Sequence, residues 1–468
     1  MRSRLRRQLQ SGMIILSATG LLTLLGFSGA AAQAAAQSAN APTWHEDVAP
    51  IVAENCVDCH QPEGKNMGGM VAPFSMMSYE EARPWARMMA HMVETRQMPP
   101  WHAHPVHRGT FEQERFLEEA DIRTVVRWAE AGAPEGDPAN STVEFALNEQ
   151  EHEGEWWIGE PDLVMAFAEP YHVEDHIEDL NVNVNVQVPD SHTEAKWIKA
   201  SEMHGGAHVH HICGEPFGCI APGWDPYVYP DGFAKLLPPV EEISLGMHYN
   251  KKPGPGTEFR DDSKAAVIFY EPGDTIRHFV HRSVLSVGED FVIPAGHPYY
   301  SLTREFEFEE DSYILSLTPH MHYLGRAAKY ELEHPDGRRE LLLWVPDYHF
   351  EWQRMYVFKD PPVAPAGSTL LWTPVWDNSE FNEANPDPTS DTPYGLPTYH
   401  EMGNGWLDYT PVEPINHVVG EDEIPEDLLN EVTEQLESRA NREQRRFEEG
   451  ELADPSEGAP SEGGSDDG

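Results

Sequence analysis

Apolar positions divide the chain into a helical N-terminal part and a longer β-rich part. From about 43 to 135 the apolar residues recur every three or four positions, which is the spacing of amphipathic helices. The last helix is predicted near 118–131, where Gly132 and Pro134 follow it and are typical of a helix end. A small all-α domain is therefore expected over residues 43–135.

Two polar residues predict where helices of this domain begin. Thr43 precedes a run that contains Val48, Ile51 and Val52, and we expect it to cap the first helix. Ser78 and Glu81 have the Ser-x-x-Glu spacing of a capping box. Both patterns support the helical interpretation of this part.

Short alternating segments separated by Gly, Pro and Asp turns fill the chain from 155 to about 415. Residues 265–270 and 313–317 are examples, and the pattern is typical of a β-sandwich. Roughly 260 residues is more than a single β-sandwich domain usually contains, so we expect two sandwich domains. They are placed at 155–285 and 286–415, with turns rather than chemistry at 335–337 and 377–379.

Both ends of the chain differ in composition from these domains. Residues 1–36 combine early arginines, an apolar run and small residues, as in a secretory signal peptide. Cleavage is expected near Ala32 or Ala36 and leaves no stable membrane span, with an uncleaved anchor as the alternative. Residues 416–468 are predicted to be an acidic, largely disordered tail. Leu428, Leu429, Val432 and Leu436 permit one amphipathic helix there.

The formal net charge is −48, and loss of the four leader arginines would make it about −52. Such a field repels nucleic acid and anionic lipid, so neither is an expected partner. The acidity fits either salty surroundings or simply a well-solvated surface. The leader and the cysteine chemistry described next place the protein in the periplasm or outside the cell.

The segment Cys56-Val57-Asp58-Cys59-His60 has the Cys-x-x-Cys-His pattern that attaches a c-type haem. Two thiols at this spacing form thioethers with one porphyrin, and the adjacent imidazole ligates the iron. A zinc half-site or a disulfide turn is the alternative, but zinc normally requires a second Cys/His pair, and none lies nearby in the sequence. We predict a covalently attached haem c in a cytochrome c-like domain.

Met98 is the predicted second axial ligand of this haem. It lies in Met98-Pro99-Pro100-Trp101, a loop that two prolines would stiffen, and a thioether suits low-spin electron transfer. Other methionines compete for this role: Met67, Met70, Met76, Met77, Met88, Met89 and Met92.

The remaining cysteines, Cys213 and Cys219, are spaced for a small local disulfide in an oxidising compartment. The alternative is that Cys213 approaches a metal, because a histidine cluster lies just before it.

Four motifs that contain histidine, three of them also methionine, lie in the β-rich part, at 206–211, 245–249, 318–325 and 399–404. Residues two apart share a strand face, so His320 and His322 can chelate one metal. His208 and His210 could do the same, whereas His210 and His211 would need a bulge or twist. A lone His248 or Met402 would ordinarily be structural, but imidazole together with a thioether favours copper.

The order His-His, His-Tyr, His-x-His-x-x-Gly and Glu-Met resembles the copper type II, ascorbate-dependent monooxygenases, which include the peptidylglycine hydroxylating and dopamine β-monooxygenases. The match covers about 156–410 and is most specific at 320–325. The resemblance implies two jelly-roll-like all-β sandwiches, each with one copper, separated by a solvent gap. In this chain a cytochrome-like segment that ends in Met-Pro-Pro-Trp precedes the copper-binding-like region. This arrangement resembles one found in predicted bacterial exported proteins.

The resemblance also implies the ligands of the two copper ions. His210, His211 and His248 would bind the electron-transferring copper, with His208 as an alternative ligand. His320, His322 and Met402 would bind the oxygen-activating copper and form the catalytic set. Other histidines, namely His204, His278 and His281, match no family ligand and are expected to be structural or on the surface.

The implied activity is hydroxylation of a C–H bond with dioxygen, with the haem supplying electrons from a small-molecule reductant or a redox protein. Thr318 and Pro319 stand where the amidating enzymes have an arginine for a peptide carboxylate, so a peptide terminus is a doubtful substrate. The organic substrate itself is not indicated by the sequence. Two other hypotheses are a non-catalytic electron-transfer or copper-carrying protein, and a haem-bearing module whose histidines are structural or bind zinc.

Overall fold

The computed structural model describes residues 41–61, 72–145, 156–206, 208–221, 224 and 226–436. The predicted signal peptide and the end of the predicted tail lie outside the described residues. Within these ranges the protein is mostly β-sheet with few helices, in agreement with the β-sandwich pattern of the sequence. None of the described helices is long and apolar enough to cross a membrane.

Among its described residues, the helical part contains four α-helices and several single turns. Their bounds are a π-helical turn at Trp44–Val48, α1 at Ala49–Asn55, α2 at Tyr79–Ala82, α3 at Ala86–Glu94 and α4 at Glu119–Glu130, with 3₁₀ turns at Arg83–Trp85, Pro105–His107 and Pro138–Asn140. Trp44, Val52, Met89 and Trp128 are buried together in one core. The last helix ends before Gly132, which adopts a positive φ of 87°, as its sequence position predicts.

The two predicted helix starts differ in outcome. The Ser78 side chain accepts a hydrogen bond from the backbone N–H of Glu81, so this capping prediction is confirmed. The Thr43 side chain makes no capping bond, and that prediction is wrong. The first turn is π-helical, and the backbone N–H of Thr43 instead donates to the Asp47 carboxylate at 2.7 Å.

The first β unit, strands β1 to β13, is built on one ten-stranded sheet. Its order is β13-β8-β4-β11-β1-β3-β9-β5-β6, with β7 paired to β4 and a separate β2–β10 ladder. Residues from β1, β4, β5, β9 and β11 share a single core, so the sheet curves around it. The strands are β1 Leu163–Phe167, β2 Tyr171–Val173, β3 Asp179–Gln187, β4 Lys196–His204, β5 Val209–Gly214, β6 Gly218–Ile220, β7 Tyr227–Val228, β8 Phe233–Leu237, β9 Glu242–Asn250, β10 Phe259–Asp261, β11 Lys264–Phe269, β12 Thr275–Ile276 and β13 His278–Phe279.

The second β unit, strands β14 to β25, has two five-stranded sheets around one core. One sheet has the order β14-β25-β18-β21 with β22 on β18, and the other β16-β23-β19-β20 with β17 on β23. The strands are β14 His281–Ser286, β15 Val292–Ile293, β16 Tyr300–Ser301, β17 Arg304–Glu307, β18 Ser312–Met321, β19 Gly325–Glu333, β20 Arg339–Val345, β21 Tyr356–Val357, β22 Val363–Ala364, β23 Thr369–Trp376, β24 Thr392–Pro393 and β25 Gly403–Pro411. The turn at 335–337 joins β19 to β20, as predicted.

The change from one unit to the other falls between Phe279 and His281, a few residues before the predicted boundary at 285. Strand β13 pairs with β8, whereas β14 pairs with β25. A buried charge network joins the units at this point. Arg282 of β14 donates two hydrogen bonds to Asp408 of β25, and Glu215 lies between Arg282 and Lys235 of β8.

The start of the predicted tail belongs to the folded structure. Strand β26, His417–Val418, pairs with β12, and residues 426–436 form a helix, α5. Val432 is buried against Trp197 and Phe279, while Leu428, Leu429 and Leu436 pack around the same cluster. The permitted amphipathic helix therefore exists, and residues 416–436 of the predicted tail are folded because this apolar stripe covers the first β unit.

Cys213 and Cys219 form the predicted disulfide. They lie directly opposite each other in the β5–β6 hairpin, so the bond links two paired strands. The alternative, in which Cys213 approaches a metal, does not occur in this structure because its sulfur is bonded to Cys219.

We predict that Asp408→Asn destabilises the protein by about 3 kcal/mol, because the Arg282 side chain, only 11% exposed, would lose its principal partner. Denaturant unfolding followed by tryptophan fluorescence measures this. Glu307→Gln, at an exposed position on β17, is the matched control and should change stability little. Equal stability of the two variants would contradict a structural role for the Arg282–Asp408 pair.

Candidate metal centre

His210, His211 and His248 lie together on the first β unit, with candidate ligand atoms within 4.8 Å of one another. Strand β5 carries the first two and β9 the third, and His211 is directly opposite His248. The register shifts between Val209 and His211, so a β-bulge occurs at His210. The sequence indicated that neighbouring histidines need such a bulge or twist to converge, and the structure contains one.

The three rings present the same nitrogen to the centre of this cluster. The Nδ1 atom of His211 lies 3.2 Å from Nδ1 of His210 and 3.4 Å from Nδ1 of His248. Burial, with a smaller contribution from neighbouring histidines, lowers the pKa of His210 to about 3 and that of His211 well below its ordinary value. Both rings are therefore neutral at pH 7, which is the form that binds metals.

Asp179 orients His248 from outside the cluster. The Nε2–H group of His248 donates to Oδ1 of Asp179 at 2.5 Å, which leaves Nδ1 as the unprotonated nitrogen. The other carboxylate oxygen accepts from the backbone N–H and the hydroxyl of Thr398, at 2.7 and 2.8 Å. Burial alone would raise the pKa of Asp179, but these hydrogen bonds bring it below its ordinary value. Asp179 thus connects the first β unit to a loop of the second.

His320 and His322 belong to the second β unit, at the end of β18 and just beyond it, with ring centres 5.3 Å apart. Nδ1–H of His320 donates to Oε1 of Gln353 at 2.6 Å, and Nδ1–H of His322 donates to the carbonyl of His400 at 3.3 Å. Each ring therefore keeps Nε2 for a metal. Burial lowers the pKa of His320 to about 4 and, with a smaller contribution from neighbouring histidines, lowers that of His322 well below its ordinary value, so these rings are also neutral.

Met402 lines the same cavity as His320 and His322 and is 8% exposed. Its neighbour Glu401 is fully buried, and the backbone N–H of His322 donates to its carboxyl group at 2.5 Å. Burial raises the pKa of Glu401 well above its ordinary value. Glu401 thus anchors the Met402 segment beside the end of β18.

The two predicted ligand sets are adjacent in this structure. The ring centres of His211 and His320 are 5.5 Å apart, and both side chains line one cavity. The family resemblance implied a solvent gap between the sets. In this structure β5 of the first unit faces β18 of the second across one cavity, with the rings of His211 and His320 in contact.

The other histidines named from the sequence lie elsewhere. The exposed His208 contacts the ring of Phe259 and is not part of the described histidine cluster. His204 stacks on Trp156 and bonds to Glu202, and His278 bonds to the carbonyl of Pro411. His281 lies 3.6 Å from Glu431 of α5. These contacts fit structural roles.

The predicted haem-attachment segment, residues 56–60, follows directly after α1. Burial, with a smaller effect of Cys59, raises the pKa of the Cys56 thiol to about 12. The Nδ1–H group of His60 donates to the carbonyl of Phe74 at 3.0 Å, so Nε2 is the nitrogen left for an iron. These residues fit the predicted haem.

The predicted axial ligand Met98 lines a cavity of about 120 Å³ with Trp101, Phe116 and Pro346. Of its competitors, Met67 and Met70 lie outside the described residues, whereas Met76 and Met89 are buried in the helical core. The assignment of Met98 stays a prediction.

Sequence analysis missed the residues that orient the histidines. Asp179 and Gln353 hold His248 and His320, and Phe350 stacks on His210 with ring centres 4.4 Å apart. These residues are far in sequence from the histidines they contact and belong to no motif. Asp179 alone has a local sequence feature that could have drawn attention to it, because it begins strand β3, in which apolar and polar residues alternate.

No protein-family model matches the chain, and no curated protein matches it either. Among solved structures, the major capsid protein P2 of bacteriophage PM2 aligns with 56% of this chain and 99% of its own length, at 6% identity and a TM-score of 0.24. The VP2 subviral particle of infectious bursal disease virus aligns with 53% of this chain and 67% of its own, at 9% identity and a TM-score of 0.18. Similarities this weak carry no argument about fold or function.

We predict that Asp179→Asn weakens metal binding at the first histidine cluster by about 10- to 100-fold, because His248 would lose the carboxylate that fixes its tautomer. Competition titration with a chromophoric copper chelator measures the affinity. Asp190→Asn, at an exposed site beyond the same strand, is the control and should bind as the unaltered protein does. Unchanged affinity in the Asp179 variant would exclude the proposed orientation of His248.

Proposed function

We propose that this protein is an exported, haem-containing, copper-dependent monooxygenase that hydroxylates a C–H bond of an organic substrate with dioxygen. The main support is that the predicted ligands meet where the two β units adjoin: His210, His211 and His248 form one cluster, and His211, His320, His322 and Met402 line one cavity. In the first set the Nδ1 atoms of the three histidines lie close to one another. In the second set both histidines keep Nε2 for a metal, and Met402 lines the same cavity. Neutral imidazoles with a methionine favour copper over zinc.

The proposal assigns the predicted ligands to two copper sites and one haem. His210, His211 and His248 would hold one copper, His320, His322 and Met402 the other, and Cys56, Cys59 and His60 the haem. When bound, the copper ions supply oxygen activation and the haem supplies single electrons; two electrons and two protons convert the substrate C–H and dioxygen to an alcohol and water. Phe350 and the surrounding β-sheets keep the histidine rings out of water.

Contacts between the helical part and the second β unit support electron delivery from the haem domain. Trp101, three residues after Met98, is buried in the core of the second β unit, with its ring 5.1 Å from that of Tyr356. The guanidinium of Arg354 lies 5.3 Å from the centre of the Trp101 ring. Its chain neighbour Gln353 bonds to His320. A continuous set of contacts therefore leads from the Met98 loop to the metal centre.

Met402→Ala should abolish oxygen-dependent product formation, because the second copper set would lose its thioether, while the haem absorption spectrum stays unchanged. Oxygen uptake with a reductant and a panel of organic substrates measures the activity. Leu341→Ala, at an exposed position on β20, is the control and should retain activity. Retained turnover in the Met402 variant would exclude this ligand assignment.

Metal analysis of the purified protein separates the proposal from its alternatives. Two coppers and one iron per chain are expected. Copper without oxygen uptake would favour an electron-transfer or copper-carrying protein. Zinc in place of copper would favour a haem-bearing module without copper chemistry.

Trp101→Leu should slow oxidation of the reduced haem by protein-bound Cu(II) by at least about tenfold, because removing the indole opens a gap between the Met98 loop and Arg354. Stopped-flow absorbance of the haem under anaerobic conditions gives this rate without turnover. Trp344→Leu is the control in the same region, since its ring stacks on His104 at the surface. Equal rates in both variants would rule out this route.

A further inference from the structure

A cavity of about 220 Å³ lies between the two β units and borders the histidines of both. This volume greatly exceeds the roughly 10–15 Å³ that one water requires, so a small organic molecule can enter. The inference that follows rests on the proposed function, because it concerns the substrate of the same centre.

Two neighbouring cross-strand rows of the first β unit form one wall. Asn181, His248 and His211 lie opposite one another on β3, β9 and β5. Two positions along, on the same sheet face, the next row contains Asn183, Gly246 and the disulfide of Cys213. Gly246 has no side chain, and this leaves space directly beside the metal-binding row.

The second β unit supplies the facing wall in the same way. Thr318 pairs with Trp406, and His320 pairs with Asn404, on adjacent strands β18 and β25. All four side chains line the cavity. Each wall therefore has one row with histidine and a neighbouring row without it.

No Asp, Glu, Lys or Arg occurs among the described residues that line this cavity. Its polar groups include the amides of Asn183 and Asn404 and the hydroxyl of Thr318, and its aromatic surface comes from Trp224 and Trp406. This contrasts with the rest of a strongly acidic chain. A charged ligand would be desolvated there without a countercharge, which is costly, whereas an uncharged polar group could pair with the amides.

We infer that the cavity binds a small uncharged organic molecule, with its apolar part against Trp224 and Trp406 and its polar group near Asn183. A carboxylate or an ammonium substrate is disfavoured. The position next to His320 and Met402 places the C–H bonds of such a molecule beside the second predicted copper set.

Three ligands of equal size test this specificity: cyclohexanecarboxamide, cyclohexanecarboxylate and cyclohexylmethylammonium. Isothermal titration of the full chain, before and after copper removal, is expected to show the amide binding at least about tenfold more tightly than either ion. The comparison without copper excludes direct coordination of the carboxylate to the metal. Equal or tighter binding of the carboxylate in the copper-free chain would overturn the inference.

Asn183→Asp places a negative charge in the cavity with almost no change of shape. It should weaken carboxamide binding and shift the preference toward the ammonium ligand, again by about tenfold. Asn430→Asp adds the same charge on the exposed side of α5 and should leave the preference unchanged. An unchanged preference in the Asn183 variant, with thermal unfolding as in the unaltered protein, would show that the ligands bind elsewhere and overturn the inference.

Binding and turnover give independent answers. Carboxamide binding without any product from a panel of neutral substrates would contradict the monooxygenase proposal and leave the cavity assignment intact. Turnover of an anionic substrate, with no binding of neutral ones, would contradict the cavity assignment and leave the monooxygenase proposal intact.

Discussion

The carboxylate of Asp179 is the constraint on which the metal centre depends. One oxygen holds His248 of the first β unit, and the other holds Thr398 in the loop that leads to Met402 of the second. The buried Arg282–Asp408 pair, with Glu215 and Lys235, joins the same two units elsewhere. Because polar groups buried in this way are costly to leave unpaired, the units are held in the arrangement that brings His211 to His320.

Burial gives the centre its chemical character. The histidines are removed from water and held beside one another, so their charged forms are disfavoured and their nitrogens are available to a metal. The described residues that line the adjacent cavity are uncharged. The predicted metal binding and the proposed preference for a neutral substrate therefore both depend on the lack of charged side chains where the two sheet faces meet.

The helical part is connected to the second β unit by shared packing. Trp101 and Phe111 are buried in the β core, and the backbone of His104 and Glu112 bonds to Trp344 and Val357. This attachment follows directly after the Pro-Pro segment that the sequence linked to the haem. The predicted electron donor is thus on the side of the molecule that carries His320.

The amino-acid sequence alone determined the features that rest on local chemistry and periodicity. These include the helix near 118–131, the β-rich character of 155–415, the Cys213–Cys219 disulfide and the histidine cluster of His210, His211 and His248. It did not indicate that the tail helix packs on the first β unit or that the two histidine sets are adjacent. Only the tertiary structure decided these points, and it added Asp179, Gln353 and Phe350 as the residues that contact the histidines. The physical reason is that packing of sheet faces brings together residues far apart in sequence, and no local sequence pattern encodes such contacts.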